Sequence, residues 1–320
     1  MKVILSAPRG FCAGVVRAID IVEIALEKFG SPVYVRHEIV HNQYVVNSLI
    51  SKGAVFVEEI NEVPEGNTVI FSAHGVAPEI WDAAKNRNLK IIDATCPLVI
   101  KVHNESQKYS MEGYSIVVVG HQGHPEVIGT MGQSPDKSIL VENGDDAVNL
   151  NVTDPNKVVA LTQTTLSVDD TKEIINTLHS QFPNLVARND ICYATTNRQE
   201  ATKLLAEKVD VVLVIGAQNS SNCNRLREVA ELSGVPSFLI NDASNIDPKW
   251  LKGAQSIGLT SGASTPESLV EEVINFLKPD SIENLEFTKE DVVFVLPKEL
   301  RGGTEKEKWA LPRQDDKAVW

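Results

Sequence analysis

Short aliphatic runs punctuate this chain, and few of them alternate with polar residues. The segments "SIVVV", "KVVAL" and "VVLVI" are almost entirely apolar. A strand with one face in water alternates, whereas an unbroken apolar strand is covered on both faces, as in parallel sheets between helices. Strands are expected at Val3–Leu5, Pro32–Val35, Thr68–Phe71, Ile91–Asp93, Ser115–Val119, Ser138–Val141, Val158–Leu161, Val211–Ile215, Ser237–Ile240 and Ser256–Leu259. Helical patterns lie between them, at Gly14–Lys28, Gln43–Ser51, Pro78–Asn86, Pro97–Met111, Pro125–Met131, Val168–Gln181, Thr195–Glu207, Ser221–Leu232 and Pro266–Leu277. This alternation predicts an α/β protein with mostly parallel sheets, and ligands at the carboxyl ends of the strands.

The units repeat loosely. "ILSAPRGFCAGVVRAI", "KIIDATCPLVIKVHNES" and "ARNDICYATTNRQEA" each run from an extended segment through a cysteine into a helix. "VIFSAHGVAPE", "IVVVGHQGHPEV" and "VLVIGAQNSSNCNRL" each end a strand in a polar loop before a helix. The pattern points to about three related α/β modules, each offering one cysteine and one polar loop to a shared centre.

A net charge of −13 argues against nucleic acid as the main partner, since a phosphate backbone calls for basic patches. No run approaches eighteen apolar residues, so no membrane span is expected. The start, "MKVILSAPRG", lacks the long apolar region of a signal peptide, and a cytoplasmic location is expected. Residues 282–320 are polar and helix-poor, which reads as a tail lying over the surface or partly disordered.

Several polar motifs carry both a structural and a chemical reading. "HEIVH" at 37–41 matches the zinc-peptidase string, but that string must be helical for its histidines to share a face, and here it follows a strand-like "SPVYVR". His41, His74, His121 and His124 all stand at strand ends, several beside glycine, where imidazoles and helix N-termini can together hold a phosphate. Glu126, in the first turn after Pro125, is placed either as a proton carrier or as an ordinary helix-start glutamate. Gln163, Thr164, Thr165 and Ser167, then Asn219, Ser220, Ser221 and Asn222, then Ser261, Gly262, Ser264 and Thr265 form three further junctions. Each suits an anion nest or a plain N-cap. No P-loop or dinucleotide fingerprint occurs.

The four cysteines, Cys12, Cys96, Cys192 and Cys223, lie dozens of residues apart with no C-x-x-C. That spacing excludes a zinc ribbon and a disulfide scaffold. Three of them could ligate three irons of a [4Fe–4S] cluster, or all could be inert and buried. A zinc hydrolase using His41, His74, His124 and Glu126, and a non-catalytic phosphate-binding or iron-sensing protein, are the competing functions.

Taken in order, "RGFCAGV", "HEIVHN", "FSAHGV", "DATCPLV", "GHQGHPEV", "TQTTLSVDD", "ICYATTNRQ", "NSSN" and "SGASTP" resemble the 4-hydroxy-3-methylbut-2-enyl diphosphate reductase family over nearly residues 1–280. The resemblance implies a trefoil of three α/β lobes around a central iron–sulfur cluster, with lobes at 14–96, at 97–193 and at 194–281 plus 1–13, and a tail at 282–320. It implies a [4Fe–4S] cluster on Cys12, Cys96 and Cys192, whose fourth iron is open to the C4 hydroxyl of an allylic diphosphate substrate. Reductive removal of that hydroxyl gives isopentenyl and dimethylallyl diphosphate, the last step of the non-mevalonate isoprenoid pathway. His41, His74, His124, Ser220, Ser221, Asn222 and Ser264 are the implied diphosphate binders. Glu126 and Thr164 are the implied proton relay, with Gln163 and Thr165 beside them. A ferredoxin or flavodoxin-type protein is the implied electron donor. Cys223 is not among the family ligands and reads as a packing residue.

Overall fold

The computed structural model describes residues 1–301. The chain begins with β1 (Lys2–Ala7) and α1 (Ala13–Phe29), followed by β2 (Val33–Arg36), α2 (Gln43–Ser51), β3 (Ala54–Val57), β4 (Thr68–Phe71), α3 (Pro78–Asn86) and β5 (Lys90–Asp93). Next come α4 (Pro97–Met111), β6 (Ser115–Val119), α5 (Pro125–Met131), β7 (Ser138–Val141), α6 (Gly144–Val148), β8 (Val158–Thr162), α7 (Val168–Gln181) and β9 (Val186–Ala187). The last elements are α8 (Tyr193–Ala206), β10 (Val211–Ile215), α9 (Ser221–Leu232), β11 (Ser237–Ile240), β12 (Ser256–Ser261), α10 (Glu267–Leu277) and β13 (Ser281–Glu286).

Three sheets result, ordered β3-β2-β4-β5, β7-β6-β8-β9 and β11-β10-β12-β1-β13, and every strand pair is parallel. Apart from the added edge strand β13, the three orders are one topology used three times. The third copy is closed by the first strand of the chain, with Leu5 opposite Leu259. This is the three-lobed α/β architecture that the resemblance implies.

Each sheet is covered on both faces, which accounts for the unbroken apolar strands. In β6, Val117 and Val119 enter one core while Ile116 and Val118 enter the opposite one. In β10, Leu213 and Ile215 face one core and Val212 and Val214 the other. Sharp helix starts hold the strand-end loops in place. Asn42, Ser167 and Ser220 cap α2, α7 and α9 through their side chains, and Pro78, Pro97 and Pro125 open α3, α4 and α5.

The pairing of loops differs from the sequence expectation. By position in the sheet, the His74 loop after β4 corresponds to the Thr164 loop after β8 and the Ser264 loop after β12. The loops after β2, β6 and β10 form a second set, carrying His41, His124 and Ser220–Asn222. The loops after β5, β9 and β1 form a third, each ending in a cysteine. Strands β3, β9 and β13 and the short α6 were not expected: β9 and α6 are brief, and β13, six residues long, is mostly exposed and polar.

Residues 281–301 are also more integrated than a surface tail. Strand β13 pairs with β1 over six residues, and Leu296 and Leu300 are buried in the core under α1 and β2. Glu290 is buried as well. The "TEKEKWALPRQDDKAVW" stretch expected as tail lies outside the described residues.

Candidate functional site

Three cysteines mark the centre. Cys12, Cys96 and Cys192 are the N-cap residues of α1, α4 and α8. Each backbone N–H donates to a carbonyl of a neighbouring strand-end loop: Cys12 to Ala263 (3.1 Å), Cys96 to Ala73 (3.0 Å) and Cys192 to Thr164 (3.1 Å). The threefold topology therefore delivers three thiols with equivalent backbone anchoring. All three are free, half-buried and on one cavity of ≈ 110 Å³. A Cβ on Gly14 would stand 2.8 Å from Sγ of Cys96 and 3.8 Å from Sγ of Cys12, so α1 needs glycine to let the thiols crowd there.

Burial pushes all three thiols up, Cys96 to about 12 and Cys192 to about 11; Cys12 adds upward pressure on both of these, and Cys192 adds to that on Cys96. Thiols so placed become thiolates only with a strong positive charge between them, which a soft metal centre supplies. Among the described residues no three His, Cys, Asp or Glu side chains converge on a point suited to a single ion. The thiols surround a space, and that donor set fits a multi-iron cluster. Cys223 is elsewhere, fully buried in α9 against Gly216 and Gly262.

The remaining walls are polar. His41, His74 and His124 line the cavity with ring centroids 4.2 Å (His41–His74), 5.5 Å (His41–His124) and 5.8 Å (His74–His124) apart. Burial holds His74 well below the usual imidazole range and His124 at about 4, with like charge at His41 adding to both. The backbone N–H of Glu126 donates to Nδ1 of His124 (3.2 Å). The neutral ring therefore carries its proton on Nε2. Ser264 donates to the carbonyl of His41 (3.0 Å), and Oδ1 of Asn222 accepts from the N–H of Ala263 (3.0 Å). Ser221 donates to the carbonyl of Thr165 (3.2 Å), joining the second and third lobes.

Glu126 is buried at the start of α5. The Thr164 N–H donates to its Oε1 (2.7 Å) and the Thr164 hydroxyl to its Oε2 (2.9 Å). Burial outweighs these bonds and pushes the carboxyl up to about 7. A carboxyl poised there exchanges a proton near neutrality, next to a hydroxyl that can pass it on.

All but one of the expected site residues line this cavity: Cys12, Cys96, Cys192, His41, His74, His124, Glu126, Thr164, Thr165, Ser220, Ser221, Asn222 and Ser264. Gln163 does not. Its amide donates to the Thr165 hydroxyl (2.9 Å) and accepts from the His121 N–H (3.0 Å), so it braces the loop from behind. His121 faces an outer cleft. "HEIVH" is not helical: it follows β2 as a loop, with His37 at φ 59° paired to Glu58 and His41 paired to Glu38. Its two histidines do not share a site, and the zinc-peptidase reading falls with the helix it requires.

Fold and cavity together define a class, three-lobed α/β proteins with a thiol-lined centre. The LytB protein family matches residues 3–278. The chain is 56% identical over 305 residues to a 4-hydroxy-3-methylbut-2-enyl diphosphate reductase from Azoarcus sp., covering 94% of this chain and 98% of that one. It is 56% identical over 309 residues to the enzyme of that name from Mannheimia succiniciproducens, with the same coverage, 94% and 98%. The solved E-1-hydroxy-2-methyl-but-2-enyl-4-diphosphate reductase from Plasmodium falciparum superposes with a TM-score of 0.91 at 41% identity, covering 94% of this chain and 96% of that one. A second solved structure, an (E)-4-hydroxy-3-methyl-but-2-enyl diphosphate reductase described as the terminal enzyme of the non-mevalonate pathway, gives 0.63 at 36%, covering 87% and 99%. The chain belongs to this family, LytB, the 4-hydroxy-3-methylbut-2-enyl diphosphate reductases.

Proposed function

We propose that this chain removes the C4 hydroxyl of (E)-4-hydroxy-3-methylbut-2-enyl diphosphate, using two electrons and two protons to yield isopentenyl or dimethylallyl diphosphate and water. It is a 4-hydroxy-3-methylbut-2-enyl diphosphate reductase, acting at the end of the non-mevalonate pathway. The observation that carries the reading is the convergence of one thiol from each lobe on the cavity that also holds the three imidazoles and Glu126. Cys12, Cys96 and Cys192 would hold a [4Fe–4S] cluster. When bound, that cluster supplies electrons and a Lewis-acidic iron at the reacting end of the cavity.

The chain's own groups do the rest. The imidazoles of His41, His74 and His124, the hydroxyls of Ser220, Ser221 and Ser264 and the Asn222 amide hold the diphosphate. The N-terminus of α9 adds its N–H groups and dipole. Anchoring the anion away from the chemistry directs the C4 end toward the thiols and turns a diffusive encounter into an oriented one. Hydroxide is a poor leaving group, so a proton delivered by Glu126 through the Thr164 hydroxyl lowers the barrier to its departure. The buried apolar wall of Val15, Val40 and Val99 keeps bulk water from the allyl chain. Reducing equivalents would come from a ferredoxin or flavodoxin-type protein.

Anaerobic purification tests the reading. The protein should emerge brown, bleach in air and consume the allylic diphosphate with a strong one-electron reductant. Cys12→Ser should lose most of its iron and turnover. A colourless, air-stable protein, or full iron and turnover in Cys12→Ser, would overturn the assignment.

A further inference from the structure

Among the described residues lining the cavity there is neither a lysine nor an arginine. A diphosphate is multiply charged near neutrality, and neutral donors alone hold such an anion weakly. The one lining imidazole with a carboxylate against it is His41. Its Nδ1 lies 3.0 Å from Oε2 of Glu38, and the side chains are 15% and 30% exposed. The same Oε2 accepts from the Asn219 amide of the third lobe at 3.1 Å. Asn219 immediately precedes Ser220, the N-cap of α9. On the other edge of the ring, His41 Nε2 is buried and has no hydrogen-bond partner among the described residues. A buried polar atom left this way marks the place where a ligand completes the set.

The tautomer logic is restrictive. With its proton on Nδ1 facing Glu38, a neutral His41 would present a bare Nε2 lone pair to a phosphate oxygen, which repels it. Only the doubly protonated ring can serve both neighbours. His74, from the loop after β4, and His124, at the start of α5, oppose a charge on His41. His121, Arg225 and Glu228 border the outer cleft that His41 shares, with Arg225 paired to Glu228 at 2.6 Å. Glu38 is the carboxylate in contact with the ring.

We propose that Glu38 is a positioning residue that keeps His41 as an imidazolium with Nε2–H aimed at the diphosphate, and that Asn219 fastens this carboxylate to the phosphate-binding loop of the third lobe. The inference rests on the proposed diphosphate role of His41. The His41 hydrogen bond, then burial against it and the Asn219 bond, set the Glu38 carboxyl, with a net result below its usual range, consistent with a carboxylate held ionised. Substrate then meets one fixed positive side chain in a pocket whose described lining holds no lysine or arginine, and the Asn219–Glu38 contact keeps Ser220 and Ser221 beside the same anion.

The test uses the cluster-loaded enzyme and inorganic pyrophosphate as a competitive probe. Glu38→Gln keeps the size and an acceptor but removes the charge. Pyrophosphate affinity should fall about tenfold. KM should rise about tenfold while kcat changes less than about threefold. Asn219→Ala, at an exposed position, should shift affinity in the same direction by about threefold and carries the test if Glu38→Gln does not fold. In a His41→Asn background, Glu38→Gln should add nothing further. If His41→Asn weakens pyrophosphate but Glu38→Gln leaves both affinity and KM unmoved, the Glu38 role is wrong and the diphosphate site stands. If the two substitutions are additive, Glu38 acts by another route and the inference also fails. If His41→Asn itself leaves pyrophosphate binding intact, the site reading falls and takes the inference with it.

Discussion

At Glu126 two opposed forces meet on one carboxyl. Burial disfavours its charge, while two hydrogen bonds from Thr164 favour it, and the balance falls near 7, the range the proposed relay calls for. Glu126→Gln preserves the shape without the acid, so turnover should fall by about 10²–10⁴ while iron content and pyrophosphate affinity hold. Single-turnover reduction of the loaded protein measures this, and a near-native rate would remove Glu126 from the chemistry. Gly14 offers a test with opposite signs. Glycine to alanine inside a helix ordinarily stabilises by about 1 kcal/mol. Here the added methyl would meet Sγ of Cys96 at 2.8 Å, so Gly14→Ala should lower cluster content on reconstitution. A variant with a raised melting temperature and full iron would show that the thiols have room to spare. Strand-end position marked the cysteines, the histidines and Glu126 as candidates with a plain structural reading beside each, and the family resemblance chose between the readings. Glu38 was not legible as a support for His41, because its second partner is Asn219, far along the chain. Gln163 was misplaced for the related reason that a sequence cannot say on which side of a loop an amide points.

Element positions were legible wherever periodicity and capping agreed. Six expected helices, from Gln43–Ser51 to Ser221–Leu232, have the observed bounds. Length alone did not decide which strands were legible: the four-residue β4, β7 and β11 have the expected bounds, whereas β3 and β9 show themselves only through pairing with β2 and β8. Packing between elements was not legible at all, and His103 illustrates the consequence. It projects from α4 between two glycines of other elements. A Cβ on Gly75 would meet its ring at 2.7 Å, and one on Gly129 of α5 at 3.4 Å. Its Nε2 is buried without a partner among the described residues, and burial holds the ring at about 4. The unfolded chain takes up this proton near the ordinary imidazole value of about 6.5. A depressed folded-state value therefore contributes stability above about 6.5 that is lost as pH falls toward 4. Between pH 7 and pH 5 the loss from this one residue is about 2 kcal/mol. Denaturant titration at the two pH values should show a smaller drop in His103→Asn than in the native chain. Equal drops would place the acid sensitivity elsewhere.

Over the whole molecule, three equivalent lobes must close on one centre, and the chain fastens that closure with buried charge. Arg198 of α8 is 1% exposed; it donates to the carbonyl of Gly10 (2.8 Å), two residues before Cys12, and to that of Ala194 (2.9 Å). Its counter-ion is Glu290, 4% exposed, at 3.0 Å, which also accepts from the Asn197 amide. Glu290 follows β13, so a segment that reads from the sequence as a surface tail supplies the carboxylate that balances a guanidinium close to Cys12. Arg17 and Lys28 of α1 donate to the carbonyls of Val295 and Glu299, carrying the same segment across the first lobe. A buried pair of this kind is no guarantee of net stability, because both charges lose water, but removing one partner strands the other. Glu290→Ala should therefore destabilise by about 3–5 kcal/mol and loosen the Gly10–Cys12 turn. The reconstituted protein should then bleach faster in air. Arg198→Met with Glu290→Leu, which removes both charges, should recover most of the stability by urea titration. If the single and double variants are equally unstable, packing rather than the stranded guanidinium sets the cost, and the C-terminal segment is a clamp by shape alone.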